Sequence, residues 1–338
     1  MKEIEQLDYY QDSINFILDT QADDGSICWE QNKKLDPWDH IESAMALTVA
    51  GQTEAAKKAF EWMQSNQESQ GGWFSEYKSG LPSKKRIETN FAAYLCVGIW
   101  HFYLVTKDKS FVEEYYPVLD RAMEFVISMQ TDSGDVLWAL DEKGSKLDDS
   151  LITGCSSIYK SLECFNAIKK LLNEDLGNLE DQMRSLKGAI TNKPNRFDRG
   201  WKSKERYSMD WYYPILCGVI TGKAGLERFQ HKEKEFIVEG LGCKCVVEEP
   251  WVTIAESSEL VMALAHLGEI DRAQEIFSWL HQWKDPKDNL YWTGYVYPDK
   301  AFWPIEKPTW TAAAVLLAAD TLYKFTDGSE LFLRDWSK

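Results

Sequence analysis

The stretch ETNFAAYLCVGIW, residues 88–100, is apolar on nearly every face of a helix and rich in small residues. A helix of that kind is buried on all sides. Five more stretches share the character: HIESAMALTVAG from His40, SLITGCSSIYKSL from Ser150, MDWYYPILCGVITG from Met209, IAESSELVMALAHLG from Ile254 and TWTAAAVLLAADTLY from Thr309. Between them run helices of a second kind, charged on one face and apolar at i, i+3 and i+4. Residues 4–20, 53–67, 110–130 and 269–283 show this pattern clearly, and 176–189 and 223–236 more weakly.

The alternation is punctuated. Short turns such as Gly51-Gln52, Lys107-Asp108, Gly222 and Gly268 follow several buried helices, and glycine just past a helix end fits a left-handed cap. The connections leading back to the next buried helix are longer. Three begin alike, QADDGSICW from Gln21, QESQGGW from Gln67 and QTDSGDVLW from Gln130, and QWKDPKDNLYW from Gln282 is a looser echo. A repeat of roughly 45 to 60 residues indicates a closed or stacked array. Six buried helices inside six amphipathic ones predict an all-α fold, a single (α/α)6 barrel over residues 1–338. The long loops then gather at the end where the inner helices begin.

Composition narrows the function. The 338 residues carry 54 Asp+Glu against 38 Lys+Arg, a net charge of -16, with 15 Trp, 15 Tyr and 15 Phe. Length alone suggests about two domains; the repeat makes one. The 44% apolar content supplies a large core, and the acidity argues against nucleic acid, whose readers cluster Lys and Arg. No apolar run is long enough to span a membrane, and the opening MKEIEQLDYYQDSINF lacks a secretory pattern. Seven irregularly spaced cysteines, with Cys243 and Cys245 too close for a zinc knuckle, predict reduced thiols in a cytoplasmic protein. No metal or cofactor is expected, and a monomer or weak homodimer is.

Binding groups belong on loops carried by a rigid scaffold, so the loop end holds the candidate site. Acids and aromatics mark each inner-helix start. DPWDHIE supplies Asp36, Trp38, Asp39, His40 and Glu42; KKRIETN supplies Arg86 and Glu88; KLDDS supplies Asp148 and Asp149. RGWKSKERYSMDWYYP adds Lys202, Arg206, Tyr207, Asp210, Trp211 and Tyr212, and EEPWVTIAESSE adds Trp251, Glu256 and Glu259. The last hairpin adds Trp303, Glu306 and Trp310. Sugars offer C–H faces to Trp and Tyr and hydroxyls to carboxylates and Arg. Glycosidic cleavage also needs two carboxyl groups, one protonated and one ionised. Asp149, Glu88, Asp210 and Glu256 are the acid/base candidates. Trp38, Asp39, His40, Glu42, Arg206, Tyr207, Trp211, Tyr212, Trp251, Trp303, Glu306 and Trp310 are the substrate contacts, for an oligosaccharide or glycoconjugate.

Plainer roles compete. Asp39 and Asp148 suit helix caps. Glu42 and Glu259 lie a turn inside apolar helices, where an unpaired charge is costly; they are expected to face the lumen, as substrate contacts or partners of Lys or Arg. Trp29, Trp73 and Trp138, which end the repeated loops, read as packing staples. The other histidines, His101, His231, His266 and His281, read as structural.

The alternating hairpins resemble the six-hairpin glycosidase superfamily, which implies a carbohydrate-active enzyme, a glycoside hydrolase first of all. The adjacent Asp148 and Asp149 are similar to the catalytic pair of some (α/α)6 endo-mannanases. QESQGGW also resembles the QW repeat of terpenoid cyclases and protein prenyltransferases, which implies an isoprenoid substrate as the alternative. A sugar-binding protein without chemistry is the third reading. The chain lacks the Asp-x-Asp-Asp acid of class II cyclases and the Asp, Cys and His zinc set of prenyltransferases. It also mostly lacks the mouth histidines of sugar epimerases.

Overall fold

The computed structural model describes residues 3–338; residues 1 and 2 of the expected barrel lie outside the described residues. Six inner helices, α2 (Pro37–Val49), α4 (Thr89–Thr106), α6 (Ile152–Leu172), α8 (Ser208–Leu216), α10 (Ile254–Leu267) and α12 (Thr309–Tyr323), pack each on the next, and α12 returns to α2. Outside them stand α1 (Gln11–Thr20), α3 (Thr53–Ser65), α5 (Lys109–Ser128), α7 (Leu179–Asn192), α9 (Gly222–Phe236) and α11 (Ile270–Leu280). The ring is an (α/α)6 barrel. No helix among the described residues is long and apolar enough to cross a membrane, and all seven cysteines are free.

The inner helices close tightly because their sequences are small where they meet. Ala44, Ala46, Ala92, Ala93, Ala263 and Ala313 are fully or almost fully buried. Local signals start and stop the helices. Asp36 caps α2 by accepting from the Asp39 amide at 3.0 Å, with Pro37 in the first turn. Gly268 ends α10 with φ of 82°, the left-handed cap expected of it.

The repeated Gln–Gly loops have one job each time. Gln21 Nε2 donates to the Gly25 carbonyl at 3.1 Å and to Ala55 of α3 at 2.9 Å. Gln67 does the same to Gly71 and to Val118 of α5, both at 2.9 Å. Gln130 donates to Gly134 and to Gln182 beside it on α7, both at 3.0 Å. Each glutamine therefore fastens its own loop to the next outer helix. The glycines take φ of 90°, 100° and 97°, and a Cβ on Gly71 would stand 2.2 Å from the Arg121 carbonyl oxygen. Gln282 instead reaches back to the Gly240 carbonyl at 2.7 Å, so the fourth loop is an echo in sequence only.

The long loops also form two antiparallel sheets that the sequence reading did not anticipate. One runs β1 (Lys34–Leu35), β2 (Phe74–Lys78), β3 (Leu81–Glu88) and β4 (Ala139–Leu140). The other runs β5 (Ile237–Val238), β6 (Gly242–Lys244), β7 (Trp251–Thr253), β8 (Gly294–Val296) and β9 (Ala301–Phe302). Strand β3 feeds directly into α4 and β7 into α10, which fixes the first turns of those helices.

The opposite end is shut by the C-terminal segment. Lys160 of α6, buried beside Glu163, donates to the Arg334 carbonyl at 3.0 Å. His266 Nδ1 bonds the Phe332 carbonyl, and Trp336 packs edge-on against Trp100 at 5.3 Å.

Candidate active site

Two inner helices each carry a pair of acids one turn apart: Asp39 and Glu42 on α2, Glu256 and Glu259 on α10. Both helices start at the mouth, so the first acid of each pair is the outer one. The inner acids form a floor. Glu42 accepts from the Tyr94 hydroxyl and the Trp310 indole, both at 2.9 Å. Glu259 accepts from the Tyr213 hydroxyl at 2.6 Å and from that of Tyr212. Burial pushes Glu42 up to about 7, against the pull of its donors. Burial and the nearby Glu42 charge raise Glu259 well above the carboxylate range. Tyrosine and tryptophan, rather than Lys or Arg, are thus the partners of these lumen-facing acids.

The outer acids are less enclosed, with Asp39 8% and Glu256 7% exposed. Burial raises the Asp39 carboxyl well above its usual range, and the adjacent Asp36 adds to this by charge and hydrogen bond, while Lys34 opposes it. Lys34 Nζ lies 3.3 Å from Asp36. Glu256 stands at the third residue of α10, where a helix N-terminus favours negative charge. Its neighbour is the Cys245 thiol, raised by burial and then by the Glu256 charge. Glu88 precedes α4 and accepts from Arg86 Nε at 3.1 Å; burial raises it, and Arg86 limits the rise. The Arg86 guanidinium covers Trp138 at 4.8 Å.

Aromatic rings surround these acids. Trp38 stacks flat on Tyr94 at 4.0 Å. Trp310 tilts against Trp29 at 5.9 Å, and the Trp29 indole donates to Glu306 at 2.9 Å. Trp29, Lys34, Lys78 and Glu306 share a cavity of about 400 Å³. A second cavity, of about 580 Å³, is lined by Arg206, Glu249, Trp251, Val296 and Trp303. Trp251 meets Trp303 edge to face at 4.9 Å, and Trp303 is 57% exposed. Arg206 lies 3.1 Å from Glu248 and 5.4 Å over the Tyr207 ring, while Lys202 points largely into solvent.

Several sequence candidates take other places. Asp149 accepts from the Ser150, Arg199 and Gly200 amides, so its carboxylate is spent on holding the loop before α8. Asp210 faces Arg228 of outer helix α9 at 4.0 Å instead of the mouth. His40 also points outward, with its Nε2 2.8 Å from the Ala59 carbonyl and its Nδ1 accepting from the Ile27 amide at 3.1 Å. Its burial holds it down at about 4, so it stays neutral. Trp211 donates to the Arg228 carbonyl at 2.9 Å and stacks on Phe229 and Phe236. Tyr212 is fully buried beneath Glu259 and offers no ring face.

The staples also divide. Trp73 is one, fully buried and donating to Met63 at 2.7 Å. Trp29 and Trp138 instead stand half-buried at the mouth, against Trp310 and Trp201. Tyr94 and Tyr213, which lie inside the inner helices α4 and α8, are the site residues that the sequence reading missed, whereas Asp36 is among the acids it places at the mouth. Among the described residues, no group of three or more His, Cys, Asp or Glu is arranged to hold a metal ion.

Known proteins share both the fold and the sequence. A solved structure of a wild-type glycosidase superposes with a TM-score of 0.75 at 12% identity, over 95% of this chain and 97% of that one. A sugar epimerase from a ruminal bacterium does so with a TM-score of 0.69 at 11% identity, over 92% and 97%. These likenesses show the (α/α)6 barrel. No family model matches. The MMP endo-(1,4)-3-O-methyl-alpha-D-mannosidase of Mycolicibacterium hassiacum is 42% identical over 316 residues, 94% of this chain and 86% of that protein. At that identity and coverage the chain belongs to the family of this endo-mannosidase, and it is a glycoside hydrolase.

Proposed function

We propose that this hydrolase cuts (1,4) α-mannosidic bonds inside an O-methylated mannan, with Asp39 as general acid and Glu256 as general base or nucleophile. The observation that carries the assignment is the matched layering on α2 and α10: each helix presents one outer acid above one inner acid bound by aromatic donors. Asp39 has a second carboxylate beside it and keeps its proton, as an acid that must protonate the leaving oxygen requires. As the C1–O bond breaks, that proton passes to the departing oxygen. Glu256 either takes a proton from the water that attacks C1 or attacks C1 itself. Glu88 is the third candidate acid, held by Arg86 at the edge of the same layer. The substrate in the name of the Mycolicibacterium hassiacum relative supports the linkage and the methylation. The exposed ring of Trp303 and the flanking Trp251 suit a sugar whose hydroxyls are partly capped by methyl groups. A mouth layered with carboxylates does not suit an isoprenoid chain.

The test is turnover of a 1,4-linked 3-O-methylmannose oligosaccharide by the parent protein and by Asp39→Asn and Glu256→Gln. Each substitution is expected to cost about 10²–10⁴-fold in kcat, with glycan binding and melting temperature kept. Proton NMR of the first product anomer then separates base from nucleophile. Full activity in both variants would sink the assignment. Binding by the parent without any hydrolysis would make the protein a sugar-binding one.

A further inference from the structure

Asp210, displaced from the mouth, still needs an explanation. It is 4% exposed, and among the described residues its carboxylate accepts no hydrogen bond. Oδ2 is buried without a partner, and the nearest cation, Arg228 Nη2, is 4.0 Å from Oδ1. A carboxylate removed from water without donors is a standing cost. The first turn of α8 favours its charge, but no amide there reaches it. Burial raises this carboxyl to about 6, against the pull of Arg228.

The carboxylate lines a cavity of about 600 Å³ between α7 and α9, outside the inner ring. That volume is within the usual range for small-ligand sites. Arg228 lines it too. Its Nε donates to the Trp211 carbonyl and its Nη2 to that of Asp210, both at 2.8 Å, and among the described residues Nη1 makes no hydrogen bond. The remaining polar neighbours are largely committed. Asp198 accepts from the Trp201 indole at 3.2 Å and the Lys204 amide at 2.6 Å, and Glu205 lies 3.8 Å from Lys232. Ile152, Ile190, Phe197 and Ile220 supply an apolar wall.

The geometry points to a second saccharide site in this cavity, in which Asp210 and Arg228 clamp two neighbouring hydroxyls of one sugar unit. A diol donates hydrogen bonds to the carboxylate and accepts from the guanidinium, which is the pairing left open here, and its C–H face meets the apolar wall. The inference rests on the glycan substrate proposed above, though not on which mouth acid protonates the leaving oxygen. The cavity would hold a second stretch of a glycan whose other part lies at the mouth, since the segment before α8 borders both. Trp201 on that segment packs on Trp138 at 5.0 Å, and Phe197 and Asp198 of the same segment line the cavity.

Calorimetric titration of the full chain, carrying Glu256→Gln to block turnover, with a 1,4-linked mannose oligosaccharide tests this. Two classes of site are expected. Asp210→Ala should weaken one of them by about tenfold or more, as loss of charged hydrogen bonds does, and leave the other unchanged. Ala224→Trp, on the exposed side of the cavity, should remove the same class by filling it, without touching the barrel core. Both substitutions in the parent protein should leave hydrolysis of a short substrate within about twofold. A single class of site, or two classes that neither variant alters, overturns the proposal. So does Asp210-dependent binding of butylammonium chloride with none of the sugar, which would make this a cation site. Loss of hydrolysis with the second class intact would count against the mouth alone.

Discussion

Asp36 caps α2 through one carboxylate oxygen while its charge bears on Asp39, so the helix start and the acid's protonation share a residue. Asn keeps the cap and removes the charge. Because Asp36 raises Asp39 and Lys34 lowers it, the two substitutions act in opposite directions. Asp36→Asn should move the alkaline limb of kcat/KM to lower pH, and Lys34→Met should move it to higher pH. Identical limbs in a pH–rate profile of the three proteins would refute Asp39 as the acid. Stability follows the same sign. A raised Asp39 favours folding below the ordinary Asp pKa, and that contribution is lost as pH rises through the folded value. The sequence marked Asp39, Glu256, Glu42 and Glu259, because acids at the start of an apolar helix stand out. It set Asp210 among the acid/base candidates and Asp39 among the substrate contacts, although each is the third residue of an inner helix. Helices that are apolar all round carry no moment to fix their rotation, so neither sequence says which acid meets the lumen.

At the scale of elements, the repeated loops show what a motif can and cannot disclose. Gln–x3–Gly was visible as a repeat, and its use as a clamp onto the next outer helix explains the spacing. The glycine must approach a backbone carbonyl with positive φ, and the glutamine must reach both that glycine and its neighbour helix. Gly71→Ala therefore meets strain and a clash together and should cost about 1–3 kcal/mol. Gln67→Ala should cost about 1 kcal/mol for each of the two bonds that its Nε2 donates, the exposed contact from Arg121 to its Oε1 adding less. Urea denaturation measures both, and a change below about 0.5 kcal/mol for Gly71→Ala would contradict the clamp. The two sheets escaped notice because their strands are mostly two to five residues long, too short to show alternation. The one legible hint was Ser79-Gly80, whose φ values of 50° and 74° make the two-residue turn between β2 and β3.

Across the whole molecule, the inner ring is held from both ends by different means. Hydrogen-bonded acids and aromatics fill the mouth, and a buried Lys160–Glu163 pair under the C-terminal segment fills the base. Burial raises Glu163, and Lys160 pulls it back. Lys160→Ala would strand that carboxylate and should cost about 3–5 kcal/mol, whereas Lys160→Met with Glu163→Leu should recover most of the loss. Equal destabilisation by the single and double variants would show that the pair is not what holds this end. The closed base was not legible, since residues 327–338 carry no repeat.

That plug has a consequence for traffic. A ring sealed behind its floor is a cul-de-sac, and whatever enters must leave by the same opening. A polymer cannot be threaded through it and shortened from a captured end. On the proposed cleavage, an internal bond would be reached only by a chain draped across the rim and bent inward at one unit, with both fragments departing sideways. Release of the two halves and arrival of the next chain then compete for one doorway.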